Sequence, residues 1–177
     1  MQKKAALGIM LTLPLLIGML TLSFNVSVVV AYKSGTNGTH QLIFEQARTI
    51  LRNDGYVSYA EFLDSVEPSS GLTYLKIMIK GSDENDDLLA ARQHYMDPMD
   101  HKGLLLLGSY QKSAGTLCQE RFNEAVTQWQ SGNYYNAMYN LGWAAHLVQD
   151  ICVPHHAWTT YSDWHSEYET WVENNRD

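Results

Sequence analysis

Imidazole and carboxylate side chains recur at a four-residue spacing near the end of the chain, a pattern that can bind metal ions. His146 and Asp150 are four residues apart, and His165 and Glu169 repeat this spacing. On a helix such pairs lie on one face, one turn from each other. Imidazole nitrogens and carboxylate oxygens are ligands that zinc accepts in proteins. The spacing therefore predicts helices that each deliver an imidazole and a carboxylate to a metal site.

A proline follows the first pair and changes the direction of the chain. Pro154 is expected to end the helix, because proline donates no backbone hydrogen bond and moves Val153 away from helical geometry. His155 and His156 come directly after it. An isolated His–Asp pair is usually a buried histidine that a carboxylate satisfies. The further imidazole beyond Pro154 favours a metal site instead.

Apolar periodicity and turn residues predict an all-α domain that holds these side chains. The predicted helices are His40–Arg52 after Thr39 as N-cap, Tyr56–Val66, Leu72–Lys80, Ser113–Gln130, Tyr134–Gln149 after Asn133 as N-cap, and a last helix that carries His165 and Glu169. No strand pattern of useful length is present, and the acidic run Gly81–Asp87 is expected to be a loop.

The predicted core follows from the same periodicity. Two helical stripes are expected to be buried: Ile43, Ala47, Ile50 and Leu51 in the first helix, and Tyr134, Met138, Leu141, Ala145 and Val148 in the helix before Pro154. The run Leu104–Leu107 is also predicted to be core. His40 is expected at an exposed edge, and His146 and Asp150 at the rim of the core.

Composition limits the class of protein. The chain has 177 residues, of which 45% are hydrophobic and 18% are charged, which fits one folded domain rather than a disordered chain. A net charge of −7 argues against a nucleic-acid partner. Cys118 and Cys152 are too few for a disulfide framework, and whether they pair is left open.

Residues 1–31 are typical of an export signal. Lys3 and Lys4 precede the apolar run Ala5–Leu22, and Val29-Val30-Ala31 provides small residues at a cleavage site. Cleavage after Ala31 would make Tyr32 the new N-terminus and leave a domain at residues 32–177. The alternative is a retained membrane anchor, since the run is long enough to span a bilayer. Either way, we expect a secreted or cell-surface protein.

The motifs resemble those of the zinc-dependent phospholipase C family, which includes the Bacillus-type enzyme and the catalytic domain of clostridial alpha-toxin. A more distant similarity is to zinc nucleases of the S1/P1 type. The matching positions are His146, Asp150, Pro154, His156 and Ala157, together with GTH at Gly38–His40, HYMDP at His94–Pro98 and HSEYE at His165–Glu169. An Asn that the family has a few residues after the central motif is absent, and Thr160 stands near its place.

This resemblance implies a helical domain of the phospholipase C/P1 nuclease type that binds up to three zinc ions. The implied ligands are the main chain of Tyr32 and the side chains of His40, Asp86, His94, His146, Asp150, His156, His165 and Glu169. His156, His165 and Glu169 would hold one ion, and His94, His146 and Asp86 a second. His40 and the N-terminus would hold a third, with Asp150 as a bridge between the last two.

The resemblance also has implications for the N-terminus, the acidic loop and the C-terminus. The family has a Trp at its mature N-terminus, and Tyr32 is the candidate here because main-chain atoms bind the ion. Asp83 and Asp87 are alternatives to Asp86, which is also the candidate general base. Other family members continue well beyond the position of Glu169, so this chain is expected to be a fragment or a short form, truncated at its C-terminus.

The implied activity is hydrolysis of phospholipids by water that zinc activates. Closely spaced zinc ions neutralise phosphate oxygens and lower the pKa of bound water. The expected partners are a phospholipid or another phosphodiester and a membrane surface, with no nucleic acid. The alternatives are a zinc nuclease of the S1/P1 type and a non-catalytic zinc-binding helical module.

Overall fold

The computed structural model describes residues 37–84, 90–157 and 165–176, and the regular secondary structure in these ranges is helical apart from one small hairpin. The helices are α1 (Thr39–Asn53), α2 (Val57–Asp64), α3 (Tyr74–Asp83), α4 (Ala114–Gln130), α5 (Tyr134–Ile151), α6 (Pro154–Ala157) and α7 (His165–Asn175). A 3₁₀ turn covers Ala90–Gln93, and strands β1 (Leu105–Leu106) and β2 (Ser109–Tyr110) form a small antiparallel hairpin. The predicted all-α class is confirmed. The predicted leader at 1–31, Tyr32, Asp86 and Asp87 lie outside the described residues.

Helix α5 is the central element, and it packs between α3 and α4. Its N-terminal half buries Met138 against Tyr74 and Ile77 of α3. Its C-terminal half buries Leu147 against Ala114 and Leu117 of α4. Burial of this apolar surface fixes α5 from two sides, and the segment that carries His146 and Asp150 is therefore rigidly held.

Two glycines let α3 and α5 approach each other closely. A Cβ at Gly142 would lie 2.0 Å from the carbonyl oxygen of Met78, and a Cβ at Gly81 would lie 2.1 Å from that of Tyr139. Any larger residue at either position would force the two backbones apart. The prediction of a loop from Gly81 onwards is therefore wrong for its first three residues, because Gly81 serves helix packing and α3 continues to Asp83.

The ends of α1 and α5 also differ from the prediction. Thr39 is the first residue of α1, and the N-cap is Gly38, which offers no side chain to the first turn. Helix α5 runs to Ile151, and Pro154 then begins the short helix α6, a position where its missing N–H costs nothing. The N-caps Ser113 and Asn133 each accept a hydrogen bond from the backbone three residues on.

The predicted core was wrong for several apolar residues. Tyr134 and Val148 are exposed, because α5 turns its Ala144 and Leu147 side towards its neighbours. In α1 the buried apolar side chain is Phe44, whereas the expected Ile43 and Ile50 are exposed and Ala47 lies on the surface.

The run Leu104–Leu107 was also wrong as a core segment, since only Leu104 is fully buried. Leu107 and Gly108 have φ values of 48° and 82° and form the two-residue turn of the hairpin. Positive φ at both central residues suits the twist of paired strands. The turn therefore carries Leu107 out into solvent.

Both cysteines are free thiols. The Sγ atoms of Cys118 and Cys152 donate to the carbonyl groups of Ala144 and Val148, at 3.4 and 3.3 Å. No helix in the described ranges is long and apolar enough to cross a bilayer.

Candidate metal centre

Three histidines surround one buried aspartate. His40 Nε2 lies 3.5 Å from Asp150 Oδ1, whereas His94 Nδ1 and His146 Nε2 lie 2.7 and 3.1 Å from Asp150 Oδ2. All four side chains have no solvent exposure. The predictions that His40 lies at an exposed edge, and that His146 and Asp150 lie at the rim of the core, were therefore wrong. Each carboxylate oxygen of Asp150 faces a different set of imidazoles.

Separate elements bring these side chains together. His40 comes from the first turn of α1, and His146 and Asp150 come from consecutive turns of α5. His94 follows the 3₁₀ turn. Two backbone hydrogen bonds hold the irregular chain after it: Met96 N donates to His156 O at 3.1 Å, and Ala114 N donates to Tyr95 O at 3.0 Å.

Two polar side chains contact the imidazoles of His40 and His146 on the side away from Asp150. Gln149 Oε1 lies 2.5 Å from His40 Nδ1, and Ser82 Oγ lies 3.0 Å from His146 Nδ1. These contacts engage Nδ1 and leave Nε2 of each ring directed towards Asp150. Such outer partners fix ring orientation and tautomer in metal sites. Sequence reasoning missed both residues; Ser82 follows Gly81, whose close approach to α5 places the hydroxyl, and no local pattern signals that contact.

A second group lies where α6 meets α7. His156 Nε2 and His165 Nε2 lie 3.9 and 2.7 Å from Glu169 Oε1, and all three residues are buried. The two imidazole rings are perpendicular, with centroids 4.8 Å apart. Burial raises the pKa of Glu169, while its hydrogen bond with His165 works in the opposite direction. His155, which is not among the implied ligands, stacks on His165, with the two ring centroids 5.0 Å apart.

Tyr95 connects the two groups. It directly follows His94, and its buried ring lies 4.5 Å from the ring of His156 and 6.2 Å from that of His165. The first group influences the second through charge, since Asp150 is among the groups that act on the pKa of His156 and of Glu169. The two groups therefore form parts of one buried polar centre.

The protonation states suit binding of a cation. Burial, together with repulsion from His146, lowers the pKa of His40 to about 4, and burial lowers that of His156 to about 3. Both imidazoles are therefore neutral at pH 7 and keep a lone pair. Burial would raise the pKa of Asp150, but contacts with His146 and His94 outweigh it and hold this pKa well below its usual range.

The residues fit zinc in charge and in spacing. An ionised carboxylate with no solvent exposure is costly unless a positive charge compensates it. Among the described ion pairs, those of Asp150 and Glu169 involve only histidines. Ligand atoms about 2.1 Å from a tetrahedral zinc are about 3.4 Å apart. The observed nitrogen–oxygen distances, 2.7 to 3.9 Å, bracket that value.

The structure thus brings together two sets of three residues whose ligand atoms lie within 4.8 Å of one another. The sets are His40, His146 and Asp150, and His156, His165 and Glu169. His94 contacts the first set through Asp150. Asp83, an alternative to Asp86, ends α3 and lines a surface cavity of about 820 Å³ with Gln41 and Glu45.

Comparison with known proteins identifies the family. The sequence model of the family described as "Zinc dependent phospholipase C" matches residues 39–176, which include every described ligand candidate. The chain belongs to the zinc-dependent phospholipase C family. The resemblance noted from the sequence is therefore confirmed.

Two curated phospholipases C are similar to this member of the zinc-dependent phospholipase C family. A protein from Clostridium haemolyticum is 31% identical over 79% of this chain and 38% of its own length. One from Paraclostridium bifermentans is 29% identical over 82% of this chain and 39% of its own length. The chain spans about two fifths of the length of these relatives.

Proposed function

We propose that this chain forms the catalytic centre of an exported zinc phosphodiesterase that hydrolyses phospholipids in the manner of a phospholipase C. The observation that carries the proposal is the placement of Asp150. One of its oxygens faces His40 and the other faces His94 and His146. A carboxylate so placed is suited to join two metal ions, and paired ions are suited to phosphodiester chemistry.

The described ligands favour three ions. His40 would bind one ion and share Asp150 with a second ion held by His94 and His146. His156, His165 and Glu169 would bind a third. Tyr32 and Asp86 would complete the ligand sets of the first and second ions. Both remain proposals from the sequence, because they lie outside the described residues.

The chemistry supplied by bound zinc is neutralisation of the phosphate charge and a lowered pKa for bound water. The protein supplies the geometry for it. Gln149 and Ser82 hold two imidazoles in one orientation, and the buried ring of Tyr95 packs against His156 and His165. Asp86 would act as the general base. Cleavage would occur on the glycerol side of the phosphate and release diacylglycerol and a phosphorylated headgroup.

Residues 1–31 would direct export, since their basic start and apolar run match a signal peptide. A secreted or cell-surface enzyme would meet its phospholipid substrate at a membrane surface. Acidic charge, −7 for the whole chain, favours this substrate over nucleic acid.

The test is a comparison of substrates with the zinc-loaded protein. Hydrolysis of phosphatidylcholine and of single-stranded DNA is measured before chelation of zinc, after chelation and after zinc is restored. We expect phosphocholine release that chelation abolishes and zinc restores. The His165→Ala variant should lose this activity, whereas His101→Ala should keep it, since His101 is exposed. Cleavage of DNA alone would instead indicate a nuclease, and bound zinc with neither activity a non-catalytic module.

A further inference from the structure

Glu173 of α7 closes the N-terminus of α1, which no sequence motif indicates. Thr39, the first residue of α1, donates both its backbone N–H, at 3.1 Å, and its hydroxyl to Glu173 Oε1. The first N–H groups of a helix have no partner within the helix, and Gly38 has no side chain to satisfy them. A carboxylate from a helix 134 residues away takes that place. It also complements the positive end of the helix dipole.

Arg176 completes the contact. Its guanidinium lies 2.5 Å from Glu173 Oε2, donates to Thr39 Oγ1 at 3.0 Å and donates to the carbonyl group of Asn37. The side chains of Glu173 and Arg176 are only 15% and 20% exposed, and Thr39 is buried. An ion pair that is mostly removed from water and shared with backbone groups holds its geometry better than a surface pair does.

The contacts among Thr39, Glu173 and Arg176, called the clamp below, link the two ligand groups. His165, Glu169 and Glu173 are four residues apart and lie on one face of α7. The first two belong to one metal-binding group, and the third binds the residue directly before His40, which belongs to the other. One face of one helix therefore contacts both groups.

We propose that Glu173 is a positioning residue: it clamps the first turn of α1 and thereby sets His40 in place for the ion that His40 binds. This inference rests on the proposed zinc centre. The carboxylate need not touch an ion, because it acts on the backbone of Thr39. Loss of the clamp should make the first turn of α1 more mobile and weaken binding of the ion at His40. The ion of His156, His165 and Glu169 should stay bound with unchanged affinity.

The experiment measures zinc binding and hydrogen exchange in the full chain. Zinc stoichiometry and affinity are determined at buffered free zinc for wild type and for Glu173→Ala, Glu173→Gln, His40→Ala and the His40→Ala/Glu173→Ala double variant. Glu167→Ala is the matched control, because it removes the same charge from an exposed position of α7. Amide exchange at the start of α1 is measured on the zinc-free proteins.

We expect Glu173→Ala to weaken the affinity for one zinc ion by about 10-fold to 100-fold. This is the usual effect of losing a residue that holds a metal ligand in place. The double variant should lose no more zinc affinity than His40→Ala alone. Glu173→Gln should recover most of the loss, since its amide oxygen still accepts from Thr39. Exchange in the first turn of α1 should accelerate in Glu173→Ala and not in Glu167→Ala.

Three results would overturn the inference. They are full zinc affinity in Glu173→Ala, equal weakening of all ions, or a double variant whose losses simply add. If Glu173→Ala fails to fold, Glu173→Gln and Arg176→Ala replace it, with the expected loss smaller but confined to the same ion. If the wild type binds no zinc, the proposed function fails, and exchange in the zinc-free protein still decides whether the clamp exists.

Discussion

Replacement of Asp150 by Asn tests the zinc centre at its most connected residue. The substitution keeps the size and shape of the side chain but removes its charge. It also turns one of the two carboxylate oxygens, which together lie 2.7 to 3.5 Å from imidazole nitrogens, into an amide nitrogen. Loss of an outer partner of a metal ligand weakens binding by about 10-fold to 100-fold. Because Asp150 would contact two ions directly, the affinity for each of them should fall by at least about 100-fold, or about 3 kcal/mol.

The assay is zinc stoichiometry at buffered free zinc, together with phosphocholine release from phosphatidylcholine. Asp150→Asn should retain the ion of His156, His165 and Glu169, lose the other two, and lose activity by at least the same factor as affinity. Asp100→Asn is the matched control, since Asp100 is exposed and pairs with Lys102 on the surface. Full zinc content together with full activity in Asp150→Asn would refute the assignment of the bridge.

Three further predictions concern a partner of His146, the burial of His40 and the packing of α3 on α5. Ser82→Ala should weaken zinc binding by about 10-fold to 100-fold, because His146 loses its partner at Nδ1; unchanged binding isotherms would contradict this role. In the zinc-free protein, urea unfolding should show stability falling as the pH drops from 6.5 to about 4, because folded His40 stays neutral over this range whereas the unfolded chain takes up a proton. At pH 5 this group alone should cost about 2 kcal/mol, and a flat profile would count against its burial. Gly142→Ala should lower the free energy of unfolding by about 1–3 kcal/mol, because its Cβ would meet the carbonyl oxygen of Met78; an unchanged urea midpoint would disprove the close contact.

The parts of the centre that local spacing determines could be predicted from the sequence. The pairs His146/Asp150 and His165/Glu169 lie at helical spacing, and the structure places each pair on one helix face. Family motifs, rather than spacing, indicated His40 and His94. That both face Asp150 depends on how α1 and the segment after the 3₁₀ turn pack on α5, which no local pattern encodes.

The errors have common physical causes. Gly81 resembles a turn residue in sequence, yet it serves the close contact between α3 and α5, and so Ser82 was assigned to a loop. Leu107 was predicted to be core because apolar runs usually are buried, yet a turn with positive φ values carries it to the surface. In both cases tertiary packing or backbone conformation overrode local composition.

Anomalous diffraction at the zinc edge, from crystals of the zinc-loaded protein, tests the central claim most directly. The predicted result is a cluster of peaks about 2.0–2.2 Å from the ligand atoms. One lies between His40 and Asp150, one between Asp150 and the pair His94 and His146, and one among His156, His165 and Glu169. An absence of peaks at these buried atoms, or zinc bound only at surface histidines such as His101, would contradict it.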